Sequence, residues 1–294
     1  MAMGNELPAI SVLIRTFNSA KTLGRTIEAL DRMPGDEIIV VDSGSTDNTL
    51  QLAEQYGCVI LRAPGPFNYS KSLNIGFRVA RNEWVNVISS HHIPVVPDFL
   101  ATFRRAAATF PPEVVVAYGP STLTGEALET LDPEAIGIFF REDYDHTGYV
   151  CSNRNALYRR SVWEKFPFDE TIITAEDLAW LIQAIDAGYG YAYVPRARGV
   201  NCNKGSLKHM FLKGFYESRC FRKPDHRPMR LWHLGGALKN LTKQRLQGKI
   251  DNGNWLRYSF HAFGQFFGTR MPETTPLPPG FREQAKPEGQ TGPP

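Results

Sequence analysis

Four times within the first 110 residues, a short apolar run gives way to a polar turn and then to a stretch with helical spacing. The apolar runs are ISVLI (10–14), EIIVVD (37–42), 59–61 and 84–88. The helical stretches are 20–31, a segment through Leu50, Leu52 and Ala53, then 70–81 and 97–109. In the first of these, Leu23, Ile27 and Leu30 recur at the three- and four-residue steps that line one helix face. EIIVVD is apolar almost without a break, as a strand buried on both faces must be. Strands that run parallel need a crossover, and a helix is the usual one. The pattern therefore predicts an α/β layer with a mainly parallel sheet flanked by helices.

Ligands on such sheets sit outside the carboxyl ends of the strands. Three polar loops fall at that edge: RTFN (15–18), DSGSTD (42–47) and SSHH (89–92). Ser45, Thr46 or Asp47 is placed to cap the helix that follows. The second half is less regular. A strand is expected over 114–119, a strand leading into a short helix over 151–163, a helix over 175–187 and a strand over 191–195. Residues 122–145 follow neither period. Beyond residue 206, amphipathic stretches rich in Phe, Trp, Lys and Arg continue to about 268. The end of the chain is rich in Pro and Gly and is expected to be disordered.

The apolar fraction of 42% and the charged fraction of 21% are those of a water-soluble globular chain. The formal charge of +3 conceals an asymmetry. Residues 205–271 hold thirteen Lys and Arg against three acids, Glu217, Asp225 and Asp251. That segment is basic and the rest is mildly acidic, which points to a polyanionic partner or an anionic surface. The four cysteines are scattered, without a CxxC pair, which excludes a zinc ribbon and argues against a disulfide framework. No secretory signal pattern opens the sequence and no apolar run approaches the roughly 20 residues of a membrane span. A cytoplasmic protein is expected.

ISVLIRTFNSAKTL, EIIVVDSGSTDNTLQLAEQYG and LNIGFRVARNEWVNVISSHHIPVVPDFL, taken in order, resemble the family 2 glycosyltransferases of GT-A fold. TAEDLAWLIQAIDAGYGYAYVPRA is similar to that family's acceptor-side signature, an acid pair opening a helix and followed by "aGy". The likeness covers roughly residues 8–200. It implies a nucleotide-diphosphate sugar donor and a hydroxyl acceptor on a glycan or a lipid-linked molecule. Carried over position by position, it puts Thr16, Asn18 and Asp42 on the base and ribose. A carboxylate can accept from a base N–H or a ribose hydroxyl, which suits Asp42. The resemblance also makes Asp177 the general base of an inverting transfer, with Glu176 beside it. Both open a helix, where the positive end of the dipole favours carboxylates. Without the resemblance, Asp42 and Asn18 read equally as turn-closing residues and Glu176 and Asp177 as helix caps.

One departure bears on mechanism. Relatives end the fourth strand with an Asp-x-Asp motif whose carboxylates bind Mg²⁺ or Mn²⁺. Here Ser89, Ser90 and His91 occupy those positions. His91 is then a candidate metal ligand, or a direct contact to the diphosphate along with Ser90, or simply a loop residue. His92 is the weaker candidate. The metal-binding histidine that many relatives place after the strand at 191–195 is also missing, since Asn201, Cys202 and Asn203 stand there. A divalent ion, Mn²⁺ or Mg²⁺, is thus an open call, and no covalent cofactor is implied. Lys204 or Lys208 could supply positive charge instead.

The expected organisation is a GT-A-like domain over 8–205, a basic amphipathic helical extension over 206–270 and a disordered tail over 271–294. The extension either packs as a helical cap or docks peripherally on anionic membrane at the inner face. Nucleic acid is not an expected partner, because no recognised module accompanies the charge. The rival reading is a nucleotide-sugar-binding protein without turnover, motivated by the missing Asp-x-Asp.

Overall fold

The computed structural model describes residues 7–65, 67–123, 135–144, 151–172, 174–203, 205–220 and 231–269. The expected disordered tail and the two lysine alternatives divide accordingly: residues 271–294 and Lys204 lie outside the described residues, whereas Lys208 lies in a helix.

The first half holds β1 (Ile10–Thr16), α1 (Leu23–Glu28), β2 (Glu37–Asp42), α2 (Thr49–Gln55), β3 (Val59–Arg62), α3 (Tyr69–Val79), β4 (Trp84–Ser89), β5 (His92–Pro94) and α4 (Phe99–Thr109). Next come β6 (Val114–Tyr118), β7 (Ser121–Leu123), β8 (Gly137–Phe139), β9 (Asn155–Arg159), α5 (Arg160–Trp163), α6 (Glu176–Asp186), β10 (Gly190–Tyr193) and β11 (Gly199–Asn201). The main sheet has eight strands in the order β3-β2-β1-β4-β9-β6-β10-β8. Strands β3, β2, β1 and β4 are mutually parallel, as the crossover pattern requires, and β6 is parallel to β10. β9 runs antiparallel between β4 and β6, and β8 antiparallel at the edge, so the sheet is mixed and mostly parallel.

Alternation along the strands sorts the two faces. Ile10, Val12, Ile14, Ile38, Val40 and Ile88 pack with Leu23, Ile27, Phe99 and Phe103 of α1 and α4. On the other face an aromatic cluster gathers round Tyr158 of β9. Phe77, Phe168 and Trp180 meet its ring edge-on at 5.9, 5.6 and 5.0 Å between centroids. Trp180 also donates its indole N–H to Phe166 O at 2.6 Å. This clamps the first turn of α6, which carries Glu176 and Asp177.

Helix α1 is shorter than its periodicity predicts. Ser19 O already accepts from Thr22 N and Leu23 N, so residues 20–22 form a turn rather than a helical turn. The capping expectation at 45–47 is not met: Asn48 stands at the cap position without a side-chain cap bond, and Asp47, one residue earlier, instead ties the turn together. Its carboxylate accepts from Thr49 N at 3.1 Å and from Ala20 N at 3.1 Å.

The described residues fall into two compact units, the sheet with its helices through Cys202 and a second unit from Asn203 onward, apart from short connecting segments. The second unit contains α7 (Leu207–Cys220), α8 (Leu231–Leu246) and α9 (Asn252–Gly268). α7 and α9 cross closely because small residues stand at the crossing. A Cβ on Gly264 would lie 1.9 Å from Phe211 O, and one on Gly214 would lie 2.2 Å from His261 O. Asp251 caps α9 by accepting from Asn254 N at 2.6 Å. Among the described residues no helix is long and apolar enough to cross a membrane.

Candidate active site

Register fixes which residues share the carboxyl edge. Thr16 pairs with Asp42 across β1 and β2, and Arg15 with Ser89 across β1 and β4. From β1 the chain order runs outward one way to β2 and β3, while β4 lies on the other side. That reversal is the switch point at which open α/β sheets bind ligands. All three polar loops end there.

The first two loops are stapled to each other. Asn18 adopts φ 43°, which Asn tolerates better than most residues. Its side-chain oxygen accepts from Thr46 N at 2.8 Å, and its own N–H donates to Ser45 Oγ at 2.9 Å. Asp42 is fully buried, and its carboxylate accepts from Gly44 N at 2.9 Å, Ser45 N at 3.0 Å and the Ser45 hydroxyl. Ser43 N closes the edge onto Thr16 O at 3.0 Å. Asp42 and Asn18 therefore hold the shape of this loop pair. Thr16 differs: it is buried, and its hydroxyl has no hydrogen-bond partner among the described residues. A buried hydroxyl left unpaired is costly, on the order of 1–3 kcal/mol.

The third loop divides into inward and edge residues. Ser90 is buried, with its hydroxyl 2.9 Å from Ser19 Oγ and its carbonyl accepting from Thr26 Oγ1. His92 is wholly buried, with Nδ1 3.1 Å from Ser121 Oγ and its ring against Gly199, where a Cβ would meet Nε2 at 2.2 Å. Burial, helped by the positive charge of Arg154, pushes the His92 pKa down to about 3, so it is a neutral packing residue. His91 is half-buried at the edge. Its Nδ1 lies 3.0 Å from Thr22 Oγ1, and desolvation lowers its pKa below the ordinary value. The hydroxyl proton of Thr22 thus selects the tautomer. If it points at Nδ1, Nε2 is a donor, and if the ring donates, Nε2 is a lone pair.

These groups are a poor fit to a resident Mg²⁺ or Mn²⁺. Ser90 is spent on Ser19, and the loop offers no carboxylate, whereas hard ions seek several oxygen ligands. Among the described residues no three His, Cys, Asp or Glu side chains converge as a metal site.

Opposite this loop, the start of α6 carries the acids. Ala175, immediately before them, has φ 61°, an uncommon conformation for a residue with a Cβ. Glu176 and Asp177 are both buried. Glu176 Oε1 accepts from Arg15 Nη1 at 3.0 Å and from Asn153 Nδ2 at 3.0 Å. Asp177 accepts from the backbone N–H groups of Asn153 and Leu178, each at 2.9 Å. Tyr158 O–H donates to Asn153 Oδ1 at 2.7 Å, so the aromatic cluster reaches through Asn153 to both acids. Arg15 lies over the Tyr69 ring, 4.8 Å from its centroid. Burial raises the Tyr69 pKa; Arg15 lowers it, while Glu176 and Asp177 raise it further.

Arg15, Asn153, Tyr69 and Thr22 were not singled out by sequence reasoning. Arg15 had a signal, a lone charge in the apolar run ISVLIRT. Asn153 had none, because its value lies in contacts 23 and 24 residues away.

The model of the family "Glycosyl transferase family 2" matches residues 11–166, more than half of the chain. The O-antigen chain rhamnosyltransferase WbaN of Salmonella anatum is 24% identical over 292 residues, covering 90% of this chain and 89% of that protein. The O-antigen chain rhamnosyltransferase RfbN of Salmonella typhimurium is 27% identical, covering 89% and 88%. Among solved structures, the mannosyltransferase PcManGT of Pyrobaculum calidifontis, in complex with GDP-Man and Mn²⁺, superposes with a TM-score of 0.55 at 15% identity, covering 90% of this chain and 74% of that one. The fold is therefore GT-A-like, and the chain belongs to glycosyl transferase family 2. It is a glycosyltransferase, and the reading as a binding protein without turnover is not favoured.

Proposed function

We propose that the enzyme moves a hexosyl or deoxyhexosyl group from a nucleotide-diphosphate sugar to a hydroxyl of a glycan or lipid-linked acceptor, with inversion. The observation that carries this reading is the unequal treatment of two adjacent acids. Glu176 is the ion-pair partner of Arg15, whereas the carboxylate of Asp177 is oriented by two backbone N–H groups beside the carboxyl edge of the sheet. An oriented carboxylate at that edge suits a general base. In the step, the acceptor oxygen bonds to the anomeric carbon and its proton passes to Asp177. The anomeric C–O bond to the diphosphate breaks, and its electron pair leaves with the nucleotide. Thr16, with its unpaired hydroxyl, and the loop pair shaped by Asn18 and Asp42 take the nucleoside, while Ser90 and His91 form the floor and rim beside the diphosphate. The rhamnosyltransferase relatives put a rhamnosyl donor first among those to try. Incubating the protein with nucleotide sugars and a glycan acceptor, and reading the anomeric configuration of the product by NMR, tests the proposal. Product of opposite configuration is expected, and retained configuration overturns the inverting step.

The second unit extends the proposal to a membrane-borne acceptor. Leu256, Phe260, Phe263 and Phe267 of α9 are exposed at steps of four, three and four, one face of a helix. Residues 231–269 also carry Lys239, Lys243, Arg245, Lys249 and Arg257 against one acid, Asp251, which caps α9. An exposed apolar stripe in a basic helical segment suits an anionic lipid surface. Sedimentation with anionic vesicles, weakened by salt and by Phe260→Glu with Phe263→Glu, is expected. Equal recovery on neutral and anionic vesicles contradicts it.

A further inference from the structure

Beside the carboxylate-free loop lies a cation that the acid network does not use. Residues 152–155 form a tight turn leading into β9, closed by Asn155 N donating to Ser152 O at 2.9 Å. Arg154 sits inside this turn. Ser89 N donates to Arg154 O at 3.2 Å, which ties the residue to the first position of Ser89–His91. Its Nε donates to Ser152 Oγ at 3.1 Å, which leaves both terminal nitrogens of the guanidinium without a hydrogen bond or an ion pair among the described residues. By contrast, Arg15 is committed to Glu176, Arg104 to Asp36 and Arg196 to Asp98. Arg154 is only half-buried, and its charge reaches far enough into the loop to depress the pKa of His92, after burial the second cause of that shift.

The uncommitted guanidinium nitrogens and the missing carboxylates then explain each other. A carboxylate at 89–91 would offset part of this positive charge. Serine and neutral histidine leave its charge intact. We propose that Arg154 binds the diphosphate of the donor and stabilises the charge that grows on the departing β-phosphate, in the place that an acid-bound metal ion would fill. A guanidinium suits this, because it stays charged at any working pH and its planar N–H fork matches two phosphate oxygens at once. As the anomeric C–O bond breaks, the electron pair settles on the β-phosphate oxygen facing Arg154, and the acceptor proton goes to Asp177. This role rests on the nucleotide-sugar reading above.

The test uses the full chain in EDTA, titrated calorimetrically with inorganic pyrophosphate, then with UDP, GDP and dTDP, and with the corresponding monophosphates. Wild type is expected to bind one nucleoside diphosphate and pyrophosphate without metal. Arg154→Gln is expected to weaken both by about tenfold or more, the scale of a charge-assisted hydrogen bond, while monophosphate affinity stays within about twofold. Arg154→Lys should keep much of the diphosphate affinity, because a purely structural role would not be rescued by charge alone. The same variants assayed for transfer should lose kcat more than donor KM, since the charge is needed most as the bond breaks. Unchanged diphosphate affinity in Arg154→Gln with an unchanged melting temperature overturns the role of Arg154, as does wild-type binding that appears only when Mn²⁺ is added. Failure of every nucleotide to bind, with or without Mn²⁺, overturns the donor reading itself and this inference with it.

Discussion

The two sides of the carboxyl edge are built in opposite ways. On the β1–β2 side, Asn18, Asp42, Ser45 and Thr46 satisfy one another within and between two neighbouring loops. On the α6 side, Arg15, Asn153, Glu176 and Asp177 come from three distant parts of the chain, with Arg15 and Glu176 separated by 161 residues. The first side is a preformed cradle whose side chains hold backbone in place. The second is a charged network whose side chains bind one another across distant parts of the chain. Loss of a cradle residue should therefore loosen binding, and loss of a network residue should stop turnover or cost stability.

The largest effect is expected from Asp177→Asn, which keeps the shape of the acid and removes its basicity. Turnover should fall by about 10²–10⁴-fold, with nucleotide affinity little changed. Residual turnover above about a tenth of wild type breaks the contrast. Arg15→Met comes next, because it leaves Glu176 buried without its ion-pair partner, and both side chains are largely buried (14% and 6% exposed). Urea unfolding should show a loss of about 3–5 kcal/mol, and a change below about 1 kcal/mol would place Arg15 among ordinary surface pairs.

Asp42→Ala should release the 42–47 turn and weaken nucleotide binding by about 1–3 kcal/mol, since the loop amides lose their acceptor. Unchanged calorimetric affinity in a folded variant would remove the cradle from the site. The last effect is absent at neutral pH and appears only in acid: His92 is neutral in the fold because burial depresses its pKa to about 3 from 6.5. Between those values the unfolded chain binds the extra proton and the folded chain does not. Stability should therefore fall as pH drops through this window, by up to roughly 1.4 kcal/mol per unit. His92→Gln should flatten the acid slope of the urea midpoint, and an identical slope would assign the loss to other groups.

Legibility followed the same division. The alternating strands and helices of the first half, and the three loops at one edge, were readable because each is encoded by a local period or a turn. Their side chains were harder to assign: DSGSTD reads both as a ligand loop and as a turn, and the geometry makes Asp42 at least the latter. The antiparallel insertion of β9 between β4 and β6 was not readable, because residues 122–145 follow neither period and strand order is a tertiary property. Arg154 and Asn153 gained meaning only from that insertion, which brings the turn before β9 against Ser89 on one side and the α6 acids on the other. The apolar stripe of α9 lay within the amphipathic stretch, but its exposure depended on how α7 and α9 cross.

Which of two adjacent acids removes the acceptor proton decides the mechanism. Single-turnover transfer measured against pH in Glu176→Gln, at saturating donor, asks this directly. The amide can still accept from Arg15 and Asn153, so the variant should fold and transfer at a reduced rate. A base must be ionised to act, so the rate should still rise from acid toward neutral pH, with Asp177 as the titrating group, and Asp177→Asn should lack that rise at any measurable rate. If the pH dependence instead disappears in Glu176→Gln and persists in Asp177→Asn, Glu176 is the base and the division of labour between the two acids is reversed.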